Sequence, residues 1–130
     1  MTTTILNVTF DCTDAGRIAR FWAEATGWPL QRQDSVPGHE EYSVGPPADS
    51  HQGRPRLYFV TVPEPKTAKN RVHLDLLPAG GGSQQDEIAR LVKLGATVAG
   101  SQVAGAGWVV MADPEGNEFC LEPGPDDEGD

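Results

Sequence analysis

Three short segments of this 130-residue chain place reactive side chains at every second position. They are His73 and Asp75; Glu118, Cys120 and Glu122; and Asn7, Thr9 and Asp11. Residues two apart in an extended strand share a face, so each set projects from one side of its strand. Faces that line a common cleft would bring together four carboxylates and one imidazole. Such a group can hold a metal ion on shifted ligands or bind a cationic molecule. It can also run acid–base chemistry, with His73 as the base and a carboxylate orienting its ring. Asp11 and Glu122 fall near strand ends and are expected in solvent. No Ser/His/Asp or Cys/His spacing points to a covalent nucleophile. Gly80-Gly-Gly-Ser83 precedes a helix but lacks the lysine of a P-loop and the spacing of a dinucleotide fingerprint, so it reads as a flexible linker.

The elements that must carry these residues follow from periodicity. Ile5 to Asp11 alternates, with Leu6, Val8 and Phe10 apolar, and reads as a half-buried strand. Thr13 or Asp14 can cap a helix in which Ile18, Phe21, Trp22 and Ala25 recur at helical spacing, and Gly27 stands where it should stop. Because Trp22 follows Phe21, one ring is expected on the sheet and the other over an edge. Strands are expected over Trp28–Gln33, Glu40–Val44 and Arg56–Val62, with a turn at Val36-Pro-Gly38 and a mobile loop over Gly45–Pro55. The order then repeats. A strand over Arg71–Leu77 precedes a helix with Ser83 or Asp86 as cap, Ile88, Leu91, Val92 and Leu94 as its apolar face, and Gly95 as its stop. Strands over Thr97–Val103, Trp108–Ala112 and Asn117–Glu122 follow, with turns at Gly105–Gly107 and Asp113-Pro-Glu-Gly116. The chain is α+β, with βαβββ written twice, and Ile18-Ala-Arg20 recurs as Ile88-Ala-Arg90 in what reads as the same helical phase.

Composition narrows the function. Nineteen acidic residues against ten basic ones give a net charge of −9, which argues against nucleic acid and anionic membranes as partners. Asp126, Asp127, Glu128 and Asp130 supply four of those negative charges, and 126–130 reads as an acidic, disordered tail. No apolar run approaches the roughly 18 residues of a membrane span, and the first residues lack a signal-peptide pattern. A cytoplasmic protein with Cys12 and Cys120 as free thiols is the expectation.

Asp14 through Phe21-Trp22 to Gly27-Trp28, Lys69-Asn-Arg-Val-His-Leu-Asp75, and Gly107-Trp-Val-Val-Met-Ala-Asp-Pro-Glu-Gly-Asn-Glu-Phe-Cys120 together resemble the glyoxalase-like domains of the vicinal oxygen chelate superfamily. That superfamily includes glyoxalase I, extradiol dioxygenases, fosfomycin-resistance enzymes and bleomycin-binding proteins. The resemblance spans roughly residues 5 to 122. It implies one domain over 1–125, with modules at about 4–65 and 69–123, each curling its sheet into half of a barrel around a cleft. It also implies a homodimer. The superfamily's metal-ligand positions fall on Asn7, on Val60 (with Tyr58 on the same face), on His73, and on Cys120, where the family usually has Glu. Of these only His73 is a good generic ligand, so the chain departs from the metal pattern.

The expectation is a small-molecule-binding protein of the glyoxalase or bleomycin-resistance type. It would be metal-free and hold a hydrophobic or cationic ligand between the modules. Asn7, Thr9, Tyr58, Val60, His73, Asp75, Trp108, Glu118 and Cys120 are the candidate ligand-binding residues. No cofactor is expected; a divalent metal, if bound, would use His73 with Cys120 or Glu122. The alternatives are a metal-dependent lyase, isomerase or dioxygenase, a metal-free acid–base enzyme using His73, and a non-catalytic assembly module.

Overall fold

In the computed structural model, which describes residues 1–33, 40–46, 55–99 and 107–127, the chain divides into two compact units, Met1–Lys66 and Thr67–Asp130. In the first, β1 (Asn7–Cys12) leads into α1 (Ala15–Thr26). The Asp14 carboxylate accepts from the Arg17 N–H at 3.2 Å and so satisfies one of the free amides at the helix start. Gly27 ends the helix with φ 74°, and its N–H donates to the Ala23 carbonyl at 2.8 Å. That left-handed conformation favours glycine. Then β2 (Leu30–Arg32), β3 (Glu41–Val44) and β4 (Arg56–Thr61) complete a mixed sheet of order β1-β4-β3-β2, with β1 parallel to β4. One face packs on α1: Phe10 lies between Trp22 (centroids 5.9 Å) and Phe59 (4.9 Å), with Ile18, Tyr42, Val44 and Leu57 buried around them. Burying each such side chain contributes about 1.5–3 kcal/mol.

The second unit repeats the plan. After β5 (Asp75–Leu76) come α2 (Gln84–Leu94), β6 (Thr97–Val98), β7 (Val109–Ala112) and β8 (Glu118–Leu121), in the order β5-β8-β7-β6, with β5 parallel to β8. Leu91, Val109, Met111, Phe119 and Leu121 form the core. Ser83 caps α2 by accepting from the Asp86 N–H at 3.1 Å. Asp113 is buried and closes the β7–β8 turn, accepting from the Glu115 and Asn117 N–H groups at 2.9 and 3.0 Å. The two sheets share strand order and direction, which shows two βαβββ modules of an α+β fold; neither sheet is closed. Among the described residues, no helix is long and apolar enough to cross a membrane.

Several expectations are corrected. Leu6 is exposed because the ladder begins at Asn7. The strand expected over Arg71–Leu77 pairs only at Asp75 and Leu76, and Val72 and Leu77 are exposed. Phe21 and Trp22 are both buried, because their rings meet edge to face at 5.2 Å and 87°. The Ile-Ala-Arg echo is out of phase. Ile18 is fully buried, whereas Ile88 is half-buried, Val92 is exposed, and the buried stripe of α2 runs through Glu87 and Leu91.

The glycine segment before α2 is not a free linker. The Ala79 N–H donates to Glu87 Oε2 at 3.0 Å, and Gly124 packs so closely on the Gly82 carbonyl that a Cβ there would overlap it. Within the expected loose tail, Asp127 is held in place. Its carboxylate accepts from the Gln84 N–H at 2.7 Å and the Gly124 N–H at 2.8 Å, a second cap on α2. The turn at Val36–Gly38, most of the Gly45–Pro55 loop, His39, His51, the end of the Thr97–Val103 strand and residues 128–130 lie outside the described residues.

Candidate functional site

On the sheet of the second unit, Phe119 and Leu121 are buried, so Glu118, Cys120 and Glu122 occupy the opposite face. The parallel register sets Asp75 directly beside Cys120, and His73 lies two residues earlier along the same chain. His73 Nε2 is 3.3 Å from Asp75 Oδ1, with side chains 44% and 61% exposed. One nitrogen of His73, one oxygen of Asp75 and the Cys120 sulfur all lie within 4.8 Å of one another. Burial pushes the Cys120 thiol above its ordinary pKa, the charges of Asp75 and Glu122 push it further, and Lys69 partly opposes them. At neutral pH it is therefore a protonated thiol, a poor nucleophile and a poor ligand until a metal displaces its proton. Val110 pairs with Cys120, and continuing the alternation places Trp108, 38% exposed, on their side.

Glu118 does different work. Its Oε1 accepts from the Asn70 N–H at 3.1 Å, and its backbone carbonyl accepts from Asn70 Nδ2 at 3.1 Å. It anchors the segment that leads into His73.

On the first sheet, the face away from α1 carries Asn7, Thr9 and Asp11 of β1 beside Arg56, Tyr58 and Val60 of β4. Glu41 and Ser43 of β3 complete it, opposite Val60 and Tyr58. The Tyr58 hydroxyl donates to Glu41 Oε1 at 2.6 Å. That bond, with burial and the carboxylate charge, pushes the Tyr58 pKa up to about 12. The hydroxyl is thus a fixed neutral donor at neutral pH.

With this geometry in place, comparison with known proteins decides the family. The Glyoxalase-like domain family matches residues 7–122. The chain belongs to that family, within the vicinal oxygen chelate superfamily. The solved structures similar to this glyoxalase-like protein include the fosfomycin resistance protein FosX from Mesorhizobium loti, with TM-score 0.67 at 16% identity over 95% of this chain and 94% of that one. A Listeria monocytogenes FosX complexed with Mn(II) and 1S,2S-dihydroxypropylphosphonic acid has TM-score 0.68 at 12% identity, covering 95% of this chain and 94% of that one. Glyoxalase I from Leishmania major has TM-score 0.62 at 15% identity, covering 94% and 87%. At these identities the likeness shows the fold alone. No curated protein matches the chain in sequence.

Among the described residues, the clustered donors do not fit a Mn(II) centre. On the first sheet, Asn7 offers only an amide and Val60 only hydrocarbon. His73, Asp75 and Cys120 supply an imidazole, a carboxylate and a protonated thiol, a set closer to the preferences of Zn(II) than of a hard cation.

The structure thus brings His73, Asp75 and Cys120 together, and separately aligns Asn7, Thr9, Tyr58 and Val60 on one face of the first sheet. Sequence reasoning passed over Glu41, Ser43 and Arg56. The alternation across β3 and β4 was the signal that places them beside Tyr58.

Proposed function

We propose that this glyoxalase-like protein binds a small cationic molecule on the open face of its second sheet, and that it needs no metal to do so. The observation that carries the reading is that Asp75 and the His73 imidazole converge on the Cys120 thiol on an accessible sheet face, where the charges of Asp75 and Glu122 are only partly opposed by Lys69. Trp108 on the same side suits a planar body for the ligand. An exposed carboxylate about 4 Å from a cation in water contributes about 1 kcal/mol, roughly fivefold in affinity. Any stronger binding has to come from apolar contact.

The test uses proflavine, a planar cation, titrated into EDTA-treated protein and followed by fluorescence anisotropy, with anionic fluorescein as control. The expected result is saturable proflavine binding that Asp75→Asn weakens about threefold to fivefold at low salt. Equal binding of fluorescein, or proflavine binding that Asp75→Asn leaves unchanged, refutes the reading.

His73, Asp75 and Cys120 favour one second reading, a Zn(II) site with open coordination positions. It predicts stoichiometric zinc uptake by elemental analysis, lost in His73→Ala.

A further inference from the structure

The open face of the first sheet separates its charges. Asp11 of β1 and Glu41 of β3 both stand opposite Val60 of β4, so two carboxylates flank one apolar residue in a single row across the sheet. Arg56 lies on the same face of β4, four positions before Val60, roughly 13 Å along the strand at about 3.3 Å per residue. The row between them carries three hydroxyls, Thr9, Tyr58 and Ser43.

Arg56 is held in place rather than left free. Its side chain lies across Gly45, where a Cβ would come within 2.9 Å of the guanidinium carbon and push the side chain aside. Its Nη1 donates to the Pro46 carbonyl at 3.0 Å, and its Nη2 reaches the Ser43 hydroxyl at 3.5 Å. Among the described residues no carboxylate pairs with it. Glu41, the acid on the same face nearest to Ser43, accepts instead from Tyr58 at 2.6 Å. A guanidinium has five N–H donors, so a fixed Arg56 keeps donors for an incoming anion, and little side-chain entropy remains to be lost on binding. Its lean toward Ser43 shortens the distance from the anionic row to between about 7 and 13 Å.

We propose that this face is a binding site for an amphoteric small molecule, its anionic end on Arg56 and its cationic end between Asp11 and Glu41. Carboxylate recognition by a fixed guanidinium sets the orientation, because the reversed ligand meets like charge at both ends. The site uses none of His73, Asp75 or Cys120, so the variants that test it are distinct from those that test the cation site.

The probe is 6-aminohexanoate, whose extended length falls inside that range, with hexanoate and hexylamine as singly charged controls. Each is titrated into the isotopically labelled full chain and followed by amide chemical shifts of β1, β3 and β4. The expected result is that 6-aminohexanoate binds about tenfold or more tighter than either control, since the second contact becomes intramolecular once the first is made. Arg56→Gln should reduce its affinity to that of hexylamine, and Asp11→Asn with Glu41→Gln to that of hexanoate. Asp11→Asn alone, at an exposed position, keeps the test informative if Arg56→Gln fails to fold. An affinity for 6-aminohexanoate no greater than that of the controls, an unchanged affinity in Asp11→Asn, or no saturable shift in these strands overturns the proposal.

Discussion

Glu87 is the most informative residue to remove. It occupies the buried stripe of α2, its side chain only 8% exposed, and it makes three hydrogen bonds. Arg90 Nε donates to Oε1 at 2.7 Å, Arg90 Nη2 donates to Oε2 at 3.1 Å, and the Ala79 N–H donates to Oε2 at 3.0 Å. The last bond fixes the chain shortly after β5, the strand that presents Asp75. A hydrogen bond to a charged group is worth about 1.5–3 kcal/mol, but Arg90 is 37% exposed, so solvent screening discounts its share. Glu87→Ala is therefore expected to cost about 2 kcal/mol, Arg90→Ala about 1 kcal/mol, and Glu87→Gln, which keeps an acceptor for Ala79, about 1 kcal/mol. With a urea m-value of about 1.5 kcal/mol/M, the Glu87→Ala midpoint falls by roughly 1.3 M.

The pH dependence supplies a second signature. The Arg90 hydrogen bonds, helped by the Ala79 N–H and the guanidinium charge, hold the Glu87 pKa below its ordinary 4.5 against the opposing effect of burial. A depressed carboxylate pKa contributes stability that is complete above the unfolded value, and that is lost as pH falls through the folded one. Acid destabilisation of the wild type should accordingly exceed that of Glu87→Gln below about pH 4.5. A Glu87→Ala variant within about 0.5 kcal/mol of wild type, with an unchanged acid limb, would refute the clamp.

Gly124→Ala places a methyl group on the Gly82 carbonyl and should destabilise the second unit by about 2 kcal/mol or more, read as a lowered urea midpoint. Tyr58 titrates near 12 in the folded protein against an ordinary 10.0, so its contribution is complete below pH 10 and fades as pH rises toward 12. Tyr58→Phe should therefore show a smaller loss of stability over that alkaline range in urea titrations. The Cys120 thiol should alkylate with iodoacetamide more slowly than a free cysteine at pH 8, and Asp75→Asn should speed it; an unchanged rate in the variant would remove Asp75 from the thiol's surroundings.

What was legible in the sequence was local. Asp14 and Gly27 mark the ends of α1 because a cap and a left-handed stop are decided within a few residues. The alternating sets on β1 and β8 also placed the candidate residues on the open faces. What depended on distant pairing was not legible. Asp75 meets Cys120 only because β5 runs parallel to β8 in that register, and a shift of one residue would have turned the face over. The strand expected from Arg71 is cut short, its lead-in segment held by Asn70 against Glu118, 48 residues away. Glu87 reads as an ordinary surface acid of a helix first turn until its position in the buried stripe is known. The duplication is carried by the repeated strand order, whereas the Ile-Ala-Arg echo falls at different helical phases.

The most direct test of the proposed function is proflavine affinity measured on EDTA-treated protein and on the same protein reloaded with Zn(II), with elemental analysis of both. The account predicts the same or tighter affinity without zinc, because Asp75 and Glu122 are then free to face the cation. Binding that appears only in the zinc-loaded protein, together with stoichiometric zinc that disappears in His73→Ala, would contradict it.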